Sequence, residues 1–184
     1  MICWKCKEGN QSPVCVSCGT IQPPMQKDFY VIFGLERRYF LQENQVEKSY
    51  RQLSRILHPD RWRSGSAIER RFSLQWTALL NEARKALLDP MTRARYLATG
   101  DVKPSEQNKT ISQEFLQTIF NLQMDALEKP NEVKIQAEEK QRENNEKIEQ
   151  IFQKWEEGAG DLEEIEERLG RWKYLSNLLE KLGA

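Results

Sequence analysis

One proline sets the first boundary in this chain. Pro59 pushes the residue before it out of the α region, so a helix running towards it ends at His58. Upstream, Val46, Tyr50, Leu53 and Leu57 recur at steps of three and four, with Ile56 widening the apolar face. That period predicts an amphipathic helix from Glu43 to Leu57. Downstream, Ser64-Gly65-Ser66 has loop composition. Phe72, Trp76, Leu79, Leu80, Ala83 and Leu87 then form the buried face of a longer helix, from about Ala67 to Leu88, with Pro90 marking its end. Two such helices joined by a short loop pack antiparallel. A short helix precedes them: Asp28 caps it, Phe29, Tyr30, Ile32 and Phe33 lie in it, and Gly34 ends it.

The side of the Glu43–Leu57 helix away from its apolar face carries Lys48, Arg51 and Arg55, a basic stripe that Arg61 and Arg63 extend. Exposed Lys and Arg ordinarily mark a solvated face. Here the stripe runs into His58-Pro59-Asp60, which contains the one histidine of the chain. As bare chemistry the triplet is a turn with an Asx-type hydrogen bond. No nucleophile stands beside it, and no catalytic constellation appears elsewhere, so the chain does not read as an enzyme. Lys+Arg and Asp+Glu each number 28. A balanced chain has no global pull towards nucleic acid or an anionic membrane, so electrostatic recognition must be local. No apolar run approaches the roughly 20 residues that span a bilayer. With no secretory or transit-type leader at its start, the chain reads as cytoplasmic, or as a mitochondrial matrix protein if a leader has been removed.

All four cysteines lie in the first eighteen residues, as Cys3, Cys6, Cys15 and Cys18. Each C-x-x-C pair can present two thiolates from a knuckle turn, and two knuckles close a tetrahedral S₄ shell. Gly9 and Gly19 supply the backbone freedom such turns need. The segment is too short for a core of its own, so metal binding would supply its folding free energy. One structural zinc fits best, and an iron centre with four thiolates is also compatible. Two disulfides or a redox C-x-x-C are the alternatives, but the redox motif wants a strand before it and a helix after it.

Beyond a polar linker at 101–111, helical patterning resumes. Phe115, Leu116, Ile119, Phe120, Leu122 and Leu127 suggest a helix ended by Pro130, followed by a second over residues 131–156. The middle of the second, residues 138–147, is almost wholly polar, as expected of a solvated face or an overhang. Gly158-Ala159-Gly160 makes a turn, and Asp161 is placed to cap a last helix through Leu162, Ile165, Leu169, Trp172, Leu175, Leu179 and Leu182. Three such helices with short connections make an antiparallel bundle.

The stretch Tyr50-Arg-Gln-Leu-Ser-Arg-Ile-Leu-His-Pro-Asp60 resembles the J-domain signature. With Leu80-Asn81-Glu82-Ala83, Leu87-Leu88-Asp89-Pro90 and Arg93-Ala94-Arg95-Tyr96-Leu97 it resembles the HscB (Jac-type) co-chaperones, whose animal members also begin with paired C-x-x-C knuckles and a Trp after the first cysteine, as Trp4 stands here. The resemblance implies docking on a DnaK/HscA-type chaperone, and stimulation of its ATPase, through Lys48, Arg51, Arg55, His58, Pro59 and Asp60. It implies binding of an IscU-type iron–sulfur scaffold through Leu116, Phe120, Lys173 and Tyr174. The chain departs from the family at Asn121 and Met124, where acidic residues are common. On periodicity alone Leu116 and Phe120 are as readily bundle core. A J-protein for another client and a thiol oxidoreductase using Cys3 and Cys6 are the rival readings, and a homodimer through the knuckles stays open. The resulting architecture is all-α: a tetracysteine zinc unit at 1–24, a J-domain at 25–100, the linker, and a three-helix bundle at 112–184.

Overall fold

A computed structural model describes residues 2–103 and 111–183, so most of the expected linker at 101–111 lies outside the described residues. Among the described residues the regular structure is seven α-helices and one 3-10 turn, with only isolated β-bridges near the N-terminus. None of these helices is long and apolar enough to cross a membrane. The chain divides into two compact units, Met1–Arg93 and Ala94–Ala184.

In the first unit, α1 (Phe29–Phe33) begins where the Asp28 carboxylate accepts the N–H groups of Tyr30 and Val31. It ends at Gly34, whose φ of 65° is the left-handed conformation a glycine adopts at little cost. α2 (Glu43–Leu57) and α3 (Ala67–Leu88) match their expected spans. Their register is antiparallel: Glu47 pairs with Arg84, Tyr50 Oη donates to Asn81 Oδ1 at 2.8 Å, and Ser73 Oγ donates to the Leu57 carbonyl at 2.8 Å. Val46, Leu57, Trp76, Leu80, Ala83 and Leu87 are buried between them. Ile56 does not widen this face. It is 42% exposed, because one residue turns a helix by about 100° and carries it clear of Leu57.

α4 (Pro90–Thr99) has no counterpart in the sequence reading. Pro90 does not simply stop α3; it opens a new helix. A proline is well placed at a first helical position, where its missing N–H would have no partner. Asp89 accepts the N–H of Thr92 at 2.7 Å and so caps the new turn.

In the second unit, α5 (Gln113–Asp125) is capped by Ser112, and α6 (Pro130–Glu156) and α7 (Ile165–Lys181) complete the bundle. α5 stops at Asp125, earlier than expected, and Pro130 again starts a helix. Asp161 does not cap α7. It accepts the Glu163 N–H at 3.0 Å in the preceding turn, and Glu164 is the cap residue. Ile119, Leu122, Val133, Ile148, Phe152, Ile165, Leu169 and Leu175 are buried. The polar middle of α6 is neither overhang nor a wholly solvated face. Asn144 is 6% exposed and donates from Nδ2 to the Arg168 carbonyl at 3.0 Å, and Gln141 Nε2 donates to Ser176 Oγ at 2.6 Å. Polar side chains thus stitch α6 to α7 where apolar periodicity lapses.

Candidate functional site

The four cysteines converge. Their sulfurs lie within 4.8 Å of one another, with Cys3–Cys18 and Cys6–Cys15 Sγ separations of 3.7 Å. A tetrahedral shell with Zn–S bonds of about 2.3 Å has an S···S edge of about 3.8 Å, so the donor set fits a single zinc ion. The two knuckles repeat one geometry. Cys3 N–H bonds the Glu8 carbonyl at 2.8 Å, as Cys15 N–H bonds that of Thr20 at 2.9 Å. The left-handed position is Lys7 in the first (φ 67°) and Gly19 in the second (φ 70°). Four sulfurs this close compete for ionisation. Burial raises the Cys3 thiol, but the Cys6 and Lys5 amides outweigh it and bring it down to about 6. The Glu8 amide lowers Cys6, but burial and the three neighbouring sulfurs push it up to about 12. A divalent cation at the centre would relieve that competition.

The knuckles are docked on α3. Thr20 Oγ1 donates to Glu69 Oε1 at 2.6 Å, Trp76 Nε1 donates to the Gln22 carbonyl at 2.8 Å, and the Trp4 ring meets Phe72 edge-on with centroids 6.0 Å apart. Trp4 also donates from Nε1 to the Ile21 carbonyl at 2.7 Å, so one aromatic residue ties both knuckles to α3.

After α2 the chain makes a 3-10 turn, Pro59–Trp62, with His58 as its cap. His58 Nδ1 accepts the Asp60 N–H at 3.3 Å, which leaves Nε2 as the donor of the ring. The side chains of His58 and Asp60 are 54% and 81% exposed, and Lys48, Arg51 and Arg55 are exposed on the helix before them. The Trp62 indole donates to the Ile56 carbonyl at 3.1 Å and so closes the turn across the tripeptide. Glu47, the acid within this basic region, is paired with Arg84, and its Oε2 lies 3.9 Å from Arg51. The Arg84 hydrogen bond holds its carboxyl below the usual carboxylate range.

On the bundle, Leu116 and Phe120 are exposed and do not belong to the core. Met124 is exposed as well, and two steps of four set Leu116, Phe120 and Met124 on one side of α5, while Leu127 is exposed in the turn that follows. Lys173 and Tyr174 are exposed on α7. Tyr174 meets Phe115 edge-on at 6.4 Å, and the Arg171 guanidinium lies 5.2 Å from the centroid of the same Phe115 ring.

Residues 28–96 match the DnaJ domain family. Over 195 residues the chain is 28% identical to the iron-sulfur cluster co-chaperone protein HscB of Mus musculus, covering 98% of this chain and 80% of that protein. The crystal structure of human co-chaperone protein HscB superposes with a TM-score of 0.80 at 26% identity, over 100% of this chain and 97% of that one. The chain carries a J-domain and is similar to HscB co-chaperones along its whole length. A co-chaperone protein HscB homolog of Bordetella pertussis is 42% identical over 91 residues, 48% of this chain and 54% of that protein. Chaperone HscB from Vibrio cholerae shares the fold, with a TM-score of 0.66 at 19% identity.

Sequence reasoning missed three parts of this surface. The place of Met124 in the exposed α5 stripe was hidden because it interleaves with the series Phe115, Ile119 and Leu122. Arg171, four residues from Leu175, stacks on Phe115 with no periodic signal. Thr20 and Glu69 meet across 49 residues, which no local pattern reports.

Proposed function

We propose that the chain is a co-chaperone of iron–sulfur cluster assembly. In this reading it docks on a DnaK/HscA-type chaperone, stimulates its ATP hydrolysis, and delivers an IscU-type iron–sulfur scaffold to it. The observation that carries the first part is the exposed His58-Pro59-Asp60 turn at the end of an exposed basic helix face. Lys48, Arg51 and Arg55 supply cations for an acidic chaperone surface, which speeds encounter and sets orientation. Pro59 sets the bend at which α2 gives way to the turn. His58 and Asp60 present a ring donor and a carboxylate side by side, and the trigger for hydrolysis runs through that pair.

The scaffold is held by Leu116 and Phe120 on α5 with Lys173 and Tyr174 on α7. Exposed apolar side chains on a chain whose mean hydropathy is −0.75 fit a partner surface better than free solvent. Cys3, Cys6, Cys15 and Cys18 hold one structural zinc, with no ligand position left for water. The working division is a zinc unit at 1–24, a J-domain at 25–100 and a scaffold-binding bundle at 112–184, in the cytoplasm or the mitochondrial matrix.

Single-turnover ATP hydrolysis by a DnaK-type chaperone tests the mechanism. The wild-type chain accelerates hydrolysis and His58→Gln does not; equal acceleration by both proteins overturns the reading. Capture of an IscU-type scaffold by the wild-type chain, weakened in Phe120→Ala, tests the delivery step.

A further inference from the structure

The docking turn and the tetracysteine unit are joined through one carboxylate. Glu69 lies in the first turn of α3, and its Oε2 accepts both the N–H of Ser66 at 2.8 Å and its hydroxyl at 2.9 Å. The Glu69 N–H returns to Ser66 Oγ at 3.3 Å, which completes a capping box. A capping box needs only one carboxylate oxygen. Here Oε1 takes a bond of its own, from Thr20 Oγ1 at 2.6 Å.

Thr20 is a firm support for that bond. It is buried, follows Gly19 of the second knuckle, and its carbonyl accepts the Cys15 N–H at 2.9 Å and Gln22 Nε2 at 3.0 Å. From the other oxygen the contacts run back towards the docking tripeptide. A Cβ on Gly65 would lie 3.1 Å from both Glu69 Oε2 and the Trp62 carbonyl, so the loop is packed directly on the carboxylate. Gly65 N–H bonds the Trp62 carbonyl at 2.9 Å, and the Trp62 indole bonds the Ile56 carbonyl at 3.1 Å, on the far side of His58-Pro59-Asp60.

We infer that Glu69 is a positioning residue for the docking turn, holding residues 58–66 against a support that the tetracysteine unit provides. The inference rests on the proposed chaperone docking for its functional meaning, but the geometry it asserts does not need the chaperone. It predicts that loading of the cysteine unit and order of the turn are linked through Thr20 and Glu69. The hydrogen bonds from Thr20 and Ser66 favour an ionised Glu69, whose carboxyl is held below its usual range by Thr20 first and the Ser66 amide second, against the opposing effect of burial.

Thr20→Val in the full chain is the cleanest test, because it removes one donor and keeps the side-chain shape. Amide hydrogen exchange reads the turn without any chaperone present. Loss of a hydrogen bond to a charged group predicts exchange about tenfold faster at Arg61, Gly65 and Ser66. Amides near Ala83 and Leu87 in α3 stay unchanged, and elemental analysis still finds zinc. Glu69→Ala accelerates the same amides further, Glu69→Gln restores part of the protection, and chelator-treated wild type reproduces the Thr20→Val pattern at the turn. Unchanged exchange at those three amides in both Thr20→Val and chelated protein overturns the inference. Faster exchange together with undiminished ATPase stimulation would also overturn the functional role assigned to Glu69. Failure of His58→Gln to reduce stimulation is a separate result, and it strikes the docking reading alone.

Discussion

Trp76 donates its indole N–H to the carbonyl of Gln22 at 2.8 Å, joining α3 to the strand of chain that leaves the second cysteine knuckle. Trp76 is buried in the J-domain hairpin, so the knuckles share a core with the helices and are not an appendage.

Metal loss should therefore be felt by the hairpin. Cys6→Ser is expected to reduce bound zinc from about one per chain to near none. The melting temperature of the first unit should fall by about 10 °C or more, because losing a few kcal/mol shifts a domain of this size by roughly 4–8 °C for each. Elemental analysis and calorimetry on the same preparation check both halves.

Acid should weaken the α2–α3 contact through Glu47. Its hydrogen bond from Arg84 depresses the folded pKa below the ordinary value of 4.5. A depressed carboxylate stabilises the fold above its unfolded pKa, and that contribution is lost as pH falls through the folded value. Wild type should exceed Glu47→Gln in urea midpoint at about pH 7, and the two should converge towards about pH 3. A gap that persists in acid would contradict the assignment.

Two phenylalanines in the bundle should separate binding from stability. Phe152 is fully buried, so Phe152→Ala should cost about 3–5 kcal/mol. Phe120 is 56% exposed, so Phe120→Ala should change stability by less than about 0.5 kcal/mol. The same substitution should weaken capture of an IscU-type scaffold by about tenfold or more. Denaturant curves and a titration with labelled scaffold give the comparison.

The basic stripe should act mainly on encounter. Arg51→Ala is expected to slow association with a DnaK-type chaperone and to flatten the dependence of that rate on salt. Stopped-flow association at several ionic strengths reads this directly, and an unchanged slope would count against Arg51 as a contact.

Elements with a local cause were legible in the residues. Asp28 and Gly34 bracket α1, Pro59 ends α2, and the apolar series of α3 runs its full length. Prolines misled wherever they were read only as stops, because Pro90 and Pro130 sit at first helical positions and open α4 and α6. Asn144 misled because burial of a polar side chain depends on a partner, the Arg168 carbonyl, that lies 24 residues away. The cysteine shell was readable from its spacing, but its attachment to α3 through Thr20, Gln22 and Trp4 was not, since each of those contacts spans the gap between two segments.

The uneven burial of the four cysteines bears on kinetics. Cys3 and Cys15 are buried, Cys6 is half-buried and Cys18 is exposed. A shell built this way would hold an ion from two sheltered corners and a half-sheltered third, and would meet solvent at the fourth. Chelators and oxidants would therefore enter by displacing Cys18 first, and the lifetime of the bound ion would follow the opening rate of that one knuckle. Two proteins with equal affinity for zinc could differ widely in how quickly they surrender it, and here the residue that would govern the difference is Cys18.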